Sequence, residues 1–100
     1  MGNKGFLKDL LVGFDIDKSK ICNDEAIIVG NITIWPSYDA RRMVIRFAGA
    51  NNYVEVSREY LADVASEHVG LIKLQDKIVE LLSAKESKNY LITNKDVRVI

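Results

Sequence analysis

The sequence predicts an α+β domain: a largely antiparallel sheet, two helices from the second half of the chain packed on one face of it, and a short N-terminal helix. Three observations lead there. Extended, β-branched segments follow one another between Ala26 and Val56 with no helical stripe between them, so neighbouring strands pair as hairpins rather than through crossovers. Two amphipathic helical stripes then follow in succession, from Ser57 to Lys85. The chain of 100 residues is 48% apolar and 28% charged, a globular balance with room for one core, so residues 1–100 are expected to form a single domain.

The first element spans Gly5 to Val12. Phe6, Leu7, Leu10 and Leu11 fall at helical spacing and Gly13 closes the segment. Two turns of helix are marginal alone, so this one must dock on the rest of the fold. Phe14 to Cys22 alternates apolar and charged residues and fits no single element. Ala26 to Trp35 is extended, with Gly30-Asn31 at its middle. That dipeptide suits a two-residue hairpin turn between Ile27–Val29 and Ile32–Trp35; one long strand with a bulge at Gly30 is the alternative. Pro36 lacks a ladder donor and is expected to end the strand, with Ser37-Tyr38-Asp39 turning the chain.

Strand alternation is clearest next. Met43, Ile45 and Phe47 share one face, while Arg42, Val44 and Arg46 share the other. Ala48–Asn52 is loop chemistry, and Tyr53–Val56 returns as the second strand of an antiparallel hairpin. Ser57 is placed to cap a helix, with Glu59 in its first turn. Leu61, Val64, Ala65 and His68 line one face of that helix, and Gly70 breaks it. Leu71, Leu74, Ile78, Leu81 and Leu82 mark a second helix from Leu71 to about Lys85. Tyr90–Thr93 and Val97–Ile100 read as strands around the turn Asn94-Lys95-Asp96.

Net charge favours no partner class. Fourteen Lys and Arg balance fourteen Asp and Glu, which offers no bulk attraction to nucleic acid or to a membrane surface. Cys22 is the only cysteine, so no disulfide closes within the chain and a reducing cytoplasm is the expected compartment. Phe6 stands where a myristoylation signal needs Ser or Thr, and the run Leu10-Leu11-Val12 is too short for a signal peptide.

Catalytic motifs fail for want of particular residues. Asp15-Ile16-Asp17-Lys18-Ser19 opens like a calcium loop, but Lys20 replaces its glycine and Ala26 its bidentate glutamate. The same Asp-x-Asp resembles a dehalogenase-type phosphatase motif, which needs a parallel sheet that this strand order does not predict. His68 has no orienting partner or nucleophile at reachable spacing, and Cys22 has no adjacent base. Neither a metal site nor a cofactor is expected, and the chain reads as non-enzymatic.

One constellation stands out as a binding candidate: Trp35, Tyr38, Arg41, Arg42, Arg46 and Tyr53. Arginines beside stacking aromatics on a sheet can hold single-stranded nucleic acid or an anionic ligand. The competing reading is a solvated face whose arginines pair with Glu55 and Glu59, and chain neutrality favours it. Trp35 beside Pro36 is either a core aromatic or an anchor for a partner.

A resemblance runs from Ile32 to the C-terminus. Trp35-Pro36, Tyr38-Asp39-Ala40-Arg41, Val44-Ile45-Arg46-Phe47, Ser57-Arg58-Glu59-Tyr60-Leu61, Leu91-Ile92-Thr93 and Asp96-Val97 carry it. In these segments the chain resembles a family of small bacterial proteins classed as a domain of unknown function. That implies a small α+β fold and assigns no functional residue. The expectation from the residues themselves is a protein-interaction or assembly module that forms a homodimer through an exposed strand or helix face. Nucleic-acid or anionic-ligand binding through the arginine-aromatic face is the alternative.

Overall fold

The computed structural model describes Leu7, residues 26–67 and residues 70–100. The expectations for Phe14–Cys22, for His68 and for the first helix beyond Leu7 lie outside the described residues. Besides the helical Leu7, the described residues form six strands and two helices in the order β1 (Ile27–Val29), β2 (Ile32–Asp39), β3 (Val44–Ala48), β4 (Tyr53–Ser57), α1 (Arg58–Glu67), α2 (Leu71–Ser83), β5 (Tyr90–Ile92) and β6 (Val97–Val99). The six strands form one sheet whose spatial order is the chain order. Every neighbouring pair is antiparallel except β4 and β5, which run parallel because both helices lie between them. This is the α+β architecture that the strand spacing predicts.

Gly30-Asn31 forms the hairpin turn. Val29 pairs with Ile32 across it, and Gly30 has φ 62° while Asn31 stays at negative φ. A positive φ at the first central residue only is the type II′ pattern, whose twist suits the flanking strands.

Pro36 does not end its strand. β2 continues to Asp39, so Ser37, Tyr38 and Asp39 are strand residues and the turn is Ala40–Met43. Ladder parity supplies the reason. The two-residue turn makes Val29–Ile32 and Ile27–Ile34 the hydrogen-bonded pairs, so even-numbered residues of β2 face β1. The β1–β2 pairing described runs only to Ile27 opposite Ile34, so among the described residues the missing donor of Pro36 costs no ladder bond.

The turn also changes Met43. It lies before β3 rather than on its apolar face, exposed, in left-handed backbone at φ 54°. Asp39 Oδ1 holds the turn by accepting from the backbone N–H groups of Arg41 (3.0 Å) and Arg42 (3.3 Å).

The core lies on one face of the sheet. Ile34, Ile45, Phe47, Val54, Val56 and Ile92 are buried there against Leu61 and Val64 of α1 and Leu74, Ile78 and Leu82 of α2. Cross-strand partners confirm the shared face, since Ile45 pairs with Val56, Phe47 with Val54 and Val56 with Ile92. Ser57 caps α1 as its spacing predicts, its Oγ accepting from Tyr60 N–H at 3.2 Å. α2 stops at Ser83, two residues before Lys85, because Ala84 is extended.

Leu7 is helical and fully buried in this core, and its N–H donates to Gln75 Oε1 of α2 at 2.9 Å. The buried Gln75 therefore interrupts the apolar stripe for a purpose: it satisfies a backbone group inside the fold. At the far end of α2, Asn52 Nδ2 donates to Leu81 O at 2.8 Å and fastens the β3–β4 turn to the helix. A Cβ on Gly49 would meet Leu82 Cδ2 at 3.3 Å, a tight contact that the Leu82 side chain would have to yield to.

Candidate functional site

The face of the sheet away from the helices carries the arginines. Residue pairing lays out two rows across it. Trp35, Ala48 and Tyr53 form one row, and Ser37, Arg46, Glu55, Leu91 and Arg98 form the next. Arg46 therefore sits beside Glu55, one row from Trp35 and Tyr53. Arg42 reaches the same place from the Ala40–Met43 turn.

Glu55 is the hub, and it is fully buried. Its Oε2 accepts from Arg42 Nη1 at 2.7 Å, from Arg46 Nε at 2.9 Å and from Arg46 Nη2 at 2.6 Å. Arg42 Nη1 also lies 2.5 Å from Oε1, but no donor is aimed at that oxygen. Oε1 thus feels the guanidinium charge without a directed bond. Asp39 Oδ2 lies 4.0 Å from Arg46 Nη2 on the other side. Arg46 Cζ is 4.6 Å from the centre of the Tyr53 ring, so its open surface stacks on an aromatic.

These contacts settle the electrostatics. Hydrogen bonding to Glu55 comes first among the causes that hold the Arg46 guanidinium above its ordinary pKa; desolvation opposes it, and attraction to Glu55, Tyr53 and Asp39 adds to it. Arg42 and Arg46 give two positive charges, and Asp39 and Glu55 give two negative ones. The cluster is neutral and its strongest donors are occupied. The pairing with Glu55 foreseen in the solvated-face reading is present, whereas Glu59 is exposed in the first turn of α1.

The sequence-derived candidates separate. Trp35, Arg42, Arg46 and Tyr53 share this face, with Trp35 43% exposed. Tyr38 pairs with Ile45 and packs against the core on the helix-covered side. Arg41 lies exposed in the turn. Among the described residues no three His, Cys, Asp or Glu side chains come together as a metal site would need. Likewise, no helix among them is long and apolar enough to cross a membrane.

A second feature was not visible as a site in the sequence. β6 is an outer strand of the sheet, and its side chains are exposed, Val97 by 42% and Val99 by 63%, as is Ile100 just beyond it by 46%. Thr93 N–H donates to Asp96 O at 2.9 Å and Ile100 N–H to Asn89 O at 2.8 Å. Even-numbered residues therefore turn their backbone groups toward β5. Val97 and Val99 turn theirs outward, and among the described residues no strand lies beside them. At the opposite edge, Ile28 of β1 is already engaged.

The chain matches no family model, no curated protein and no solved structure. Its functional reading therefore rests on these two surfaces.

Proposed function

We propose that this chain is a non-catalytic protein-interaction module that pairs with a second copy of itself by strand addition along β6. The carrying observation is the open edge at Val97 and Val99, where outward backbone donors and acceptors coincide with exposed apolar side chains. Among the described residues β6 has no proline, bulge or cover on this edge; its shortness, three residues, and Arg98 are the features that limit pairing there. A two-fold antiparallel pairing with Val97 opposite its own counterpart aligns two outward-bonding residues. It also sets Asp96 opposite Arg98 of the second copy. The neighbouring two-fold register, centred on Arg98, would place like charges face to face and is disfavoured.

Sedimentation velocity tests this directly. A dimer fraction that rises with protein concentration, and falls sharply in Val99→Pro, is the expected result. Proline there removes an outward N–H and no internal ladder bond, so the fold should survive. A strict monomer up to about 1 mM, or an unchanged dimer in Val99→Pro, would overturn the proposal. Asp96→Arg and Arg98→Asp should each weaken the dimer, and the double exchange should restore it. If the double variant does not recover, the register is wrong although the edge is used.

The second reading is a nucleic-acid or anionic-ligand platform at Trp35, Arg42, Arg46 and Tyr53. Arg46 stacked on Tyr53 with Trp35 exposed nearby supports it. Local charge balance argues for strand addition first, because single-strand binding depends on releasing counterions at unpaired cations.

A further inference from the structure

On the helix-covered side, a groove of about 340 Å³ opens between α1, α2 and the turn joining β5 to β6. Its floor is apolar, formed by the buried Leu74 and Ile92 with Tyr60 beside them. Its rim is cationic. Lys73 and Lys77 stand one helical turn apart on α2, and Lys95 faces them from the β5–β6 turn.

These lysines are poorly neutralised. The ammonium groups of Lys73 and Lys95 have no hydrogen-bond or ion-pair partner among the described residues. Lys77 Nζ reaches Glu80 Oε2 only at 3.8 Å, and Glu80 is largely solvated. The single carboxylate of the lining, Asp96, is occupied by Thr93 Oγ1 at 3.1 Å and Arg98 Nε at 3.1 Å. Three cations against one engaged acid in the lining, with Asp63 beyond it bonded to Asn94, form a local excess in a chain that is neutral as a whole. Placing like charges at i and i+4 also opposes the helix that carries them. Among the described residues only the long Lys77–Glu80 contact on the same helix offsets it.

The geometry points to a binding site for a small amphipathic anion, a phosphate monoester or carboxylate carried on a compact apolar body. The anionic group sits among Lys73, Lys77 and Lys95, and the body covers Leu74, Ile92 and Tyr60. A volume near the lower bound of small-ligand pockets, about 300 Å³, restricts that body to about the size of one ring. The arginine cluster on the other face offers no equivalent, since its guanidinium groups are already bonded to Glu55.

The test is an amide-resolved NMR titration of the full chain with phenyl phosphate at low salt, beside inorganic phosphate and benzyl alcohol. Saturable shifts at Lys73, Lys77 and Thr93–Asp96 are expected, with dissociation in the millimolar range. Inorganic phosphate and benzyl alcohol should each bind about tenfold more weakly or not at all, because each supplies half of the recognition. Lys73→Glu and Lys95→Glu, made separately, should each weaken phenyl phosphate about tenfold while leaving the dispersed spectrum of the fold intact. Benzoate in place of phenyl phosphate separates the anions. Equal affinity upholds the site for carboxylates as well, and weaker affinity upholds it for phosphate monoesters. No saturation by about 10 mM would overturn the proposal, as would equal binding of inorganic phosphate, shifts centred on Arg42 and Arg46, or indifference to both lysine variants.

Discussion

Glu55 shows how much one residue decides. A fully buried carboxylate is tolerable only when its charge is met, and three N–H donors from Arg42 and Arg46 meet it at Oε2. Glu55→Ala would strand two guanidinium groups, but both arginines retain partial access to water and can be resolvated. The expected loss is therefore below that of a wholly buried pair, about 1–3 kcal/mol, read as a lower urea midpoint at unchanged slope. Glu55→Gln keeps the side-chain shape and removes one negative charge. It should leave the arginine-aromatic face positive and raise affinity for a single-stranded oligonucleotide at low salt. Failure of this variant to bind would remove the platform reading.

Met43 is a second residue-scale case. It holds a left-handed backbone, and the residue is 45% exposed. Met43→Gly should raise stability by about 0.5–1 kcal/mol in urea unfolding, the relieved strain outweighing glycine's extra freedom in the unfolded chain.

Helix α2 carries an electrostatic fault at the scale of the element. Gly70 precedes it with φ 83° and no side-chain cap, and its first turn contains no acid. Lys73 stands in that first turn, where the macrodipole disfavours a cation. Lys73→Glu reverses the unfavourable charge and creates an i, i+4 pair with Lys77. A gain of about 0.5–1 kcal/mol in chemical denaturation is the expected outcome. The same substitution should weaken anion binding in the groove about tenfold, so stability and binding would move in opposite directions. That opposition distinguishes a lysine kept for a ligand from one that is merely solvated.

At the scale of the whole molecule, strand position in the sheet sets local stability. β3 and β4 are central, flanked on both sides and covered by both helices, whereas β6 has one neighbour and exposed side chains. In dilute solution the amides of Val97 and Val99 should exchange with solvent at once, while Ile45, Phe47, Val54 and Val56 exchange last. Raising the protein concentration should slow exchange at Val97 and Val99 selectively if β6 pairs with a second copy. Fast exchange there at every concentration would count against strand addition.

Local pattern determined much of this protein. Alternation in Val44–Ala48 and Tyr53–Ser57, the Gly30-Asn31 turn, the Ser57 cap and the leucine stripe of α2 each need only neighbours within a few residues, and each is present. The α+β class follows from their order. Tertiary structure decided the rest, because long-range partners leave no local trace. Pro36 is accommodated inside β2 only because the described β1–β2 pairing ends at Ile27, opposite Ile34. Gln75 belongs in the core only because Leu7, 68 positions away, needs an acceptor. Tyr38 parted from the other candidates through strand register, and the arginines proved neutralised because Asp39 and Glu55 close on them. The open edge at β6 and the lysine groove likewise emerge only when the strands are set in order, since exposure is a property of what a fold leaves uncovered.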